Sequence, residues 1–313
     1  MLGSAALALL SPALYAQGGA VRIVVGFPPA GGADAMARLI SQRLATLWNV
    51  PVVVENRPGD AGAAAAEYVS KSASDGSVLM LAHINSHALA PAMGARLGYD
   101  AARDFAPIGL VAVTPHLLIG NAQQPARSVK ELVALCKSRP GKVRFASAGV
   151  GSSQHFSFEL FKQQAGVSAV HVPYAGAGPA LQDLVAGKVD YCFETMTAAT
   201  PYIRDGRVVA LGQTRLRRAT MHPNVPTMAE EGFPFEATVW YGLAAPAALV
   251  ATQTQRINRD LNKILALPDV QESLTQVGAE DGGGSPEKFA EFMQQERAKW
   301  TKLARAAGLK AVV

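Results

Sequence analysis

Beyond its first 16 residues the chain has no apolar run long enough to cross a membrane. Cysteine is scarce: Cys136 and Cys192 are the two present, and their separation fits neither a redox C-x-x-C pair nor a metal knuckle, so no metal site is expected. In an oxidising compartment such a pair can close one disulfide, Cys136 to Cys192, with two buried free thiols as the alternative. Charge is sparse, at 17% of 313 residues, and the net charge of +5 comes from scattered basic residues. The densest basic cluster, Arg215, Arg217 and Arg218, has no aromatic interleaving and no nucleic-acid motif beside it, so no nucleic-acid partner is expected. Short-period repeats are absent. So are most enzyme signatures: Gly149-Val-Gly151 and Gly176-Ala-Gly178 both fail the dinucleotide G-x-G-x-x-G pattern. There is no phosphate loop, no G-x-S-x-G elbow and no H-E-x-x-H pair, and no cofactor is expected. A serine–histidine–acid set assembled from distant positions is not excluded by pattern.

What is present is enough apolar residue, 49% of the chain, for a large core, and a length that favours two domains of ordinary size. The first 16 residues, ending in small side chains and followed by Gln17-Gly-Gly19, read as the apolar and cleavage regions of a secretory signal. Residues 1–19 are therefore expected to be a signal peptide. Since no Lys or Arg precedes Arg22, it reads as truncated, with an ordinary buried helix as the alternative. The mature protein is expected to be soluble and exported.

Strand and helix signals alternate. Residues 21–27, 51–55 and 78–83 read as strands, with helices at 34–48 and 61–72 between them. The pattern restarts with an apolar stretch at 108–119, broken by Pro115. It continues with helices at 128–138, 153–165, 179–186 and 198–205 and strands at 143–147, 169–173, 189–194 and 208–214. Ser128 followed by Glu131 makes a capping box. A last strand at 238–244 leads into helices at 252–266, 268–277 and 286–307. This order calls for an α/β protein of two lobes, each a mostly parallel sheet flanked by helices. One lobe takes residues 20–120 plus 221–313, and the other takes 121–220.

Ligands of open α/β sheets bind beyond the carboxyl ends of the strands. Those ends fall at 27–34, 83–87, 147–155, 173–178 and 194–197, all rich in glycine or small polar residues. In the first, Phe27 is a candidate ligand contact, Pro28 and Pro29 stiffen the approach, and Ala30, Gly31, Gly32 and Ala33 leave a helix start without bulk, suited to an anion. Asp34 either caps that helix or complements its dipole. The second end brings Asn85 and Ser86. At the third, Ser147, Gly149, Gly151, Ser152 and Ser153 repeat the glycine turn, with His155 read as a partly exposed helix residue or a ligand contact, and His171 as a structural histidine. Tyr174 leads a further glycine turn. Glu194 ends a buried strand, where its carboxylate either accepts from a ligand amino or hydroxyl group or caps a neighbouring helix. Two glycine turns of this kind suggest a ligand carboxylate held between two lobes. The competing reading is an exported α/β hydrolase using Ser152 or Ser153 with His155.

Eight segments in order resemble the Bug-type extracytoplasmic solute receptors, the binding subunits of tripartite tricarboxylate transporters. They are Gly26-Phe-Pro-Pro-Ala-Gly-Gly-Ala-Asp34, Val54-Glu-Asn-Arg-Pro-Gly59, Asp75-Gly76, Asp100-Ala-Ala-Arg-Asp-Phe-Ala-Pro107, Ala146-Ser-Ala-Gly-Val-Gly151, His171-Val-Pro-Tyr-Ala-Gly176, Pro226-Thr-Met-Ala-Glu-Glu-Gly232 and Trp240-Tyr-Gly-Leu-Ala-Ala-Pro246. The resemblance implies a type II-like periplasmic-binding-protein fold with the ligand in the interlobe cleft. It implies a non-enzymatic, monomeric receptor in the periplasm. Its partners would be a small organic carboxylate and the integral-membrane permease subunits of a tripartite transporter, or, for an orphan receptor, a signalling partner. Site residues carry over at 27–34 and 147–153. Many relatives bear Ser or Thr where this chain has Gly32, and a shorter acidic residue at the place of Glu194, which implies a different ligand preference.

Overall fold

The computed structural model describes residues 19–29, 31–280 and 282–311, so the expected signal segment lies almost entirely outside the described residues. The first strand, β1 (Val21–Val25), is buried at four of its five positions and hands over through Phe27, Pro28 and Pro29 to α1 (Gly32–Trp48). Helix α1 buries Met36, Ala37, Ile40 and Leu44 along one face, spaced as a helix seated on a sheet requires. Strand β2 (Val52–Asn56) pairs parallel with β1, and β1 pairs parallel with β3 (Val78–His83), which is buried throughout. Between them a single tight turn at Asp60–Gly62 precedes α2 (Ala63–Ser70). A wide π turn (Asn85–Leu89) and α3 (Ala90–Ala92) follow β3.

Strand β4 (Phe105–Asn121) is the axis of the molecule. Its first part, to Pro115, pairs antiparallel with β9 (Thr238–Pro246). From His116 onward it pairs instead with β7 (Tyr191–Thr195) on one edge and with β8 (Val208–Gln213) on the other. The remaining strands, β5 (Arg144–Ser147) and β6 (Val170–Pro173), are parallel to each other, and β5 is parallel to β7. The order is β2-β1-β3-β9-β4-β7-β5-β6, with β8 on β4. The sheet is thus less parallel than expected: its outer strands are parallel, but β4 and β9, which cross between the halves, run against their neighbours. Pro115 does not break β4. It sits at the last pair with β9, where the ladder changes partner.

Helices α4 (Val129–Ser138), α5 (Ser153–Ala165), α6 (Ala177–Val185) and α7 (Met196–Arg204) cover the half that holds β5 to β8. The chain then returns to the first half through β9, α8 (Ala251–Leu265), α9 (Pro268–Gln276) and α10 (Pro286–Ala307). Two polar ties fix that return, the first part-buried and the second buried. Trp48 in α1 donates its indole N–H to Asp260 in α8 at 2.8 Å. Glu296 in α10 accepts from the indoles of both Trp240, at 3.2 Å, and Trp300, at 2.8 Å. No helix among the described residues is long and apolar enough to cross a membrane.

The expected disulfide is not made: Cys136 and Cys192 are both free and buried. Alternation along the strands explains it. Cys192 lies opposite Ile119 and joins the smaller core, with Leu117, Leu181 and Met196, on one face of the sheet. Cys136 belongs to α4, which packs with Val129, Phe145 and Phe193 in the larger core on the other face. Burial raises both thiols above their usual range, Cys136 to about 11.

Candidate functional site

The two glycine turns differ in how their helix starts are satisfied. Gly31 precedes α1 in an extended conformation and offers no side-chain cap, so the first-turn N–H groups face outward with the positive end of the helix. Gly31 and Gly32 are exposed, while Ala33 and Asp34 are buried; Ala30 lies outside the described residues. Asp34 is a structural member of this turn. Its carboxylate accepts from Arg38 Nε at 2.8 Å and from Asn56 Nδ2 at 2.9 Å. Asn56 also donates to the Phe27 carbonyl at 3.0 Å, so one amide at the end of β2 clamps both ends of the turn. The Phe27 ring stacks edge-on against His83, 4.6 Å between centroids.

The second turn is internally satisfied. Ser147 accepts from Gly149 N at 3.1 Å and meets His171 Nε2 at 2.6 Å. Ser152 is the N-cap of α5, accepting from His155 N at 3.2 Å, and its hydroxyl donates to the Gly149 carbonyl at 2.7 Å. Gly151 donates its N–H to His155 Nδ1 at 3.1 Å. That histidine is buried rather than partly exposed. It stacks face to face on His171, with centroids 3.8 Å apart and planes 6° apart, and its Nε2 faces Glu159 at 3.6 Å. Burial, reinforced by the neighbouring His155, pushes His171 down to about 4. The His155 ring is therefore spent on the loop, and among the described residues it hydrogen-bonds neither the Ser152 nor the Ser153 hydroxyl.

Ser153 meets a different histidine, His116 of β4, at 3.2 Å. His116 in turn touches Ser157 Oγ and the Ala237 carbonyl, at 3.1 and 3.3 Å, and burial pushes it down to about 4. Among the described residues no carboxylate is one of its partners, so the serine–histidine–acid geometry that a hydrolase needs is not assembled around it there. Glu194, 2% exposed, accepts from Thr195 N at 2.7 Å, Thr195 Oγ1 at 3.1 Å and Gln154 Nε2 at 3.3 Å. Burial outweighs those bonds and raises its carboxyl. Tyr174 stands apart, its hydroxyl held by Asp183 at 2.9 Å.

Asn85 and Ser86 come from the wide turn after β3. Ser86 is buried and bonded to the His83 carbonyl and to His87. Asn85 is different: its amide oxygen is buried without a hydrogen-bond partner among the described residues. It lines a cavity of about 830 Å³ together with Val150 and Gly151 of the second turn and Met93 and Tyr99 of the first half. The fold thereby brings Asn85 beside Gly151. It brings His116, Ser153, Gln154 and Glu194 into one buried polar row, and leaves Tyr174 outside that row. His116, Gln154, Asn56 and Tyr241 went unread in the sequence because single polar residues on apolar strands or helices carry no spacing signal.

The chain matches the model of the "Tripartite tricarboxylate transporter family receptor" over residues 36–309. Protein BugT of Bordetella pertussis is 34% identical over 292 residues, covering 93% of this chain and 90% of its own. Among solved structures, Rpa4515 of R. palustris with adipate is 33% identical with a TM-score of 0.85, covering 93% of this chain and 98% of that one. MatC (Rpa3494) of Rhodopseudomonas palustris with bound malate is 33% identical with a TM-score of 0.79, covering 91% and 98%. An uncapped glycine turn after β1, a serine-capped one after β5 and a chain that crosses twice between two sheet halves thus belong, in this protein, to a member of the tripartite tricarboxylate transporter receptor family, a family of solute receptors and not of enzymes.

Proposed function

We propose that this protein is a periplasmic receptor that captures a small organic carboxylate between two lobes, residues 20–120 plus 221–313 and residues 121–220, and delivers it to the permease subunits of a tripartite transporter. The observation that carries the reading is the start of α1: exposed, glycine-led, free of a side-chain cap and placed at the carboxyl end of β1. A carboxylate there gains hydrogen bonds from orphan N–H groups and the helix dipole, and needs no arginine. Similar proteins whose solved structures are with adipate and with bound malate support a carboxylate as the ligand class. Closure of the lobes would expel water and strengthen those bonds.

The test is a thermal-shift and calorimetric screen of the mature protein against C4–C6 di- and tricarboxylates, acidic amino acids and aromatic acids. A ligand at 100 times its dissociation constant adds about 2.7 kcal/mol, a shift of several degrees at this size. A hit recovered unchanged after incubation supports the receptor. No response to any carboxylate at millimolar concentration would sink it. Loss of uptake in cells lacking the cognate permease would separate transport from a purely sensory role.

A further inference from the structure

Tyr241 sits in β9, 7% exposed, with its ring tilted against His83 at 5.3 Å between centroids. Among the described residues its hydroxyl makes no hydrogen bond. The ring is buried while its hydroxyl, bonded to no protein group, still reaches solvent, so that one polar atom is open to a partner that is not part of the chain. Its direction is fixed by one contact: a methyl group placed on Gly32, the first residue of α1, would come within 3.1 Å of the phenol oxygen. Gly32 is exposed, and nothing caps the helix that it begins. The phenol therefore occupies, from the neighbouring strand, the place that a side chain at position 32 would fill. Burial and the charge of Glu194 both hold it far above the usual phenol range, so it stays a protonated donor.

We propose that Tyr241 is a ligand-recognition residue, whose hydroxyl donates to the carboxylate bound at the start of α1 in place of the side-chain hydroxyl that Gly32 cannot supply. This rests on the carboxylate-receptor reading and adds to it a side-chain donor on an otherwise backbone-only anion site. It also makes positions 32 and 241 alternatives for one location. With a phenol at 241, a larger residue at 32 is crowded; with phenylalanine at 241, a serine hydroxyl at 32 has room to reach the vacated place.

Calorimetry with malate, adipate, citrate and glutamate as probes, on the wild type, Tyr241→Phe, Gly32→Ser and the double variant, tests it. Tyr241→Phe should weaken the best probe roughly 10- to 100-fold, the range for a hydrogen bond to a charged group. The ligand-free melting temperature should stay level, since the hydroxyl that is removed bonds no protein group. Gly32→Ser alone should weaken binding by crowding, and adding it to Tyr241→Phe should recover most of the lost affinity. A Phe variant that binds as tightly as the wild type overturns the proposal, as does a loss that Gly32→Ser fails to recover. A wild type that binds none of the probes or any other carboxylate would instead overturn the carboxylate-receptor reading itself.

Discussion

Gly31 and Gly151 look alike in the sequence, each a glycine one or two residues ahead of a helix, and their surroundings separate them. Gly31 has φ near −87°, and the nearest heavy atom to an added methyl group is the Pro28 carbonyl at 3.7 Å. A larger side chain therefore fits the fold and projects over the anion site. Gly151 has φ of +81°, and an added methyl group would stand 2.4 Å from the Met93 terminal carbon. Left-handed backbone costs a non-glycine residue about 1–2 kcal/mol before Met93 has moved. Gly31→Leu is accordingly expected to leave the melting temperature unchanged while reducing affinity for the screened carboxylate at least tenfold, the signature of a blocked site. Gly151→Ala is expected to melt several degrees lower. Calorimetry and melting on the two variants check both; full affinity in Gly31→Leu would move the site away from α1.

At the scale of elements, the caps were the most legible feature. Ser128 accepts from Glu131 N at 3.2 Å and starts α4 where the capping box put it, although the Glu131 carboxylate reaches back to Arg127 N, at 2.7 Å, one residue earlier than the motif implies. Ser128→Ala should lower stability by about 1 kcal/mol, read as a fall of a few degrees in melting, with ligand affinity untouched and Ser128→Asp close to wild type. A variant melting with the wild type would show that the Glu131 bond alone holds the end. Helix α10 also matched its predicted bounds, because Ser285 and Pro286 mark its start and Gly308 its stop. Strand β4 was read too short and as interrupted. Proline removes a ladder donor, which predicts an interruption when only one partner is assumed, whereas β4 changes partners at that point. Tyr241 was read only as part of an apolar strand: its strand fixes which way it points, but that its hydroxyl lies beside Gly32 follows only once β9 is placed next to β3.

Over the whole molecule, the sequence order revealed two α/β halves but not what their junction contains. That junction holds the buried histidines His83, His87 and His116, while His171 stands half-buried on the edge strand β6. Burial pushes His83 and His87 down to about 3, with His83 further lowered by His87 and His116, and pushes His116 and His171 down to about 4. All four are neutral in the folded state through the physiological range, while in the unfolded chain they titrate near 6.5. Between those values the unfolded state binds more protons, so stability is complete above about pH 6.5 and is lost as pH falls toward 4. Each such group contributes at most about 1.4 kcal/mol per pH unit across that window. Glu194 acts in the opposite sense, since its raised carboxyl takes up a proton more readily when folded, but it is one group against four. The melting temperature is therefore expected to fall by several degrees between pH 7 and pH 5, without ligand and at constant ionic strength. His116→Asn, which keeps a polar side chain where Ser153 and Ser157 meet the ring but cannot charge, should flatten that fall by about a quarter if the four share it equally. Equal melting at both pH values would mean that these rings are hydrated or protonated in the folded protein, and that the junction is wetter than its burial implies.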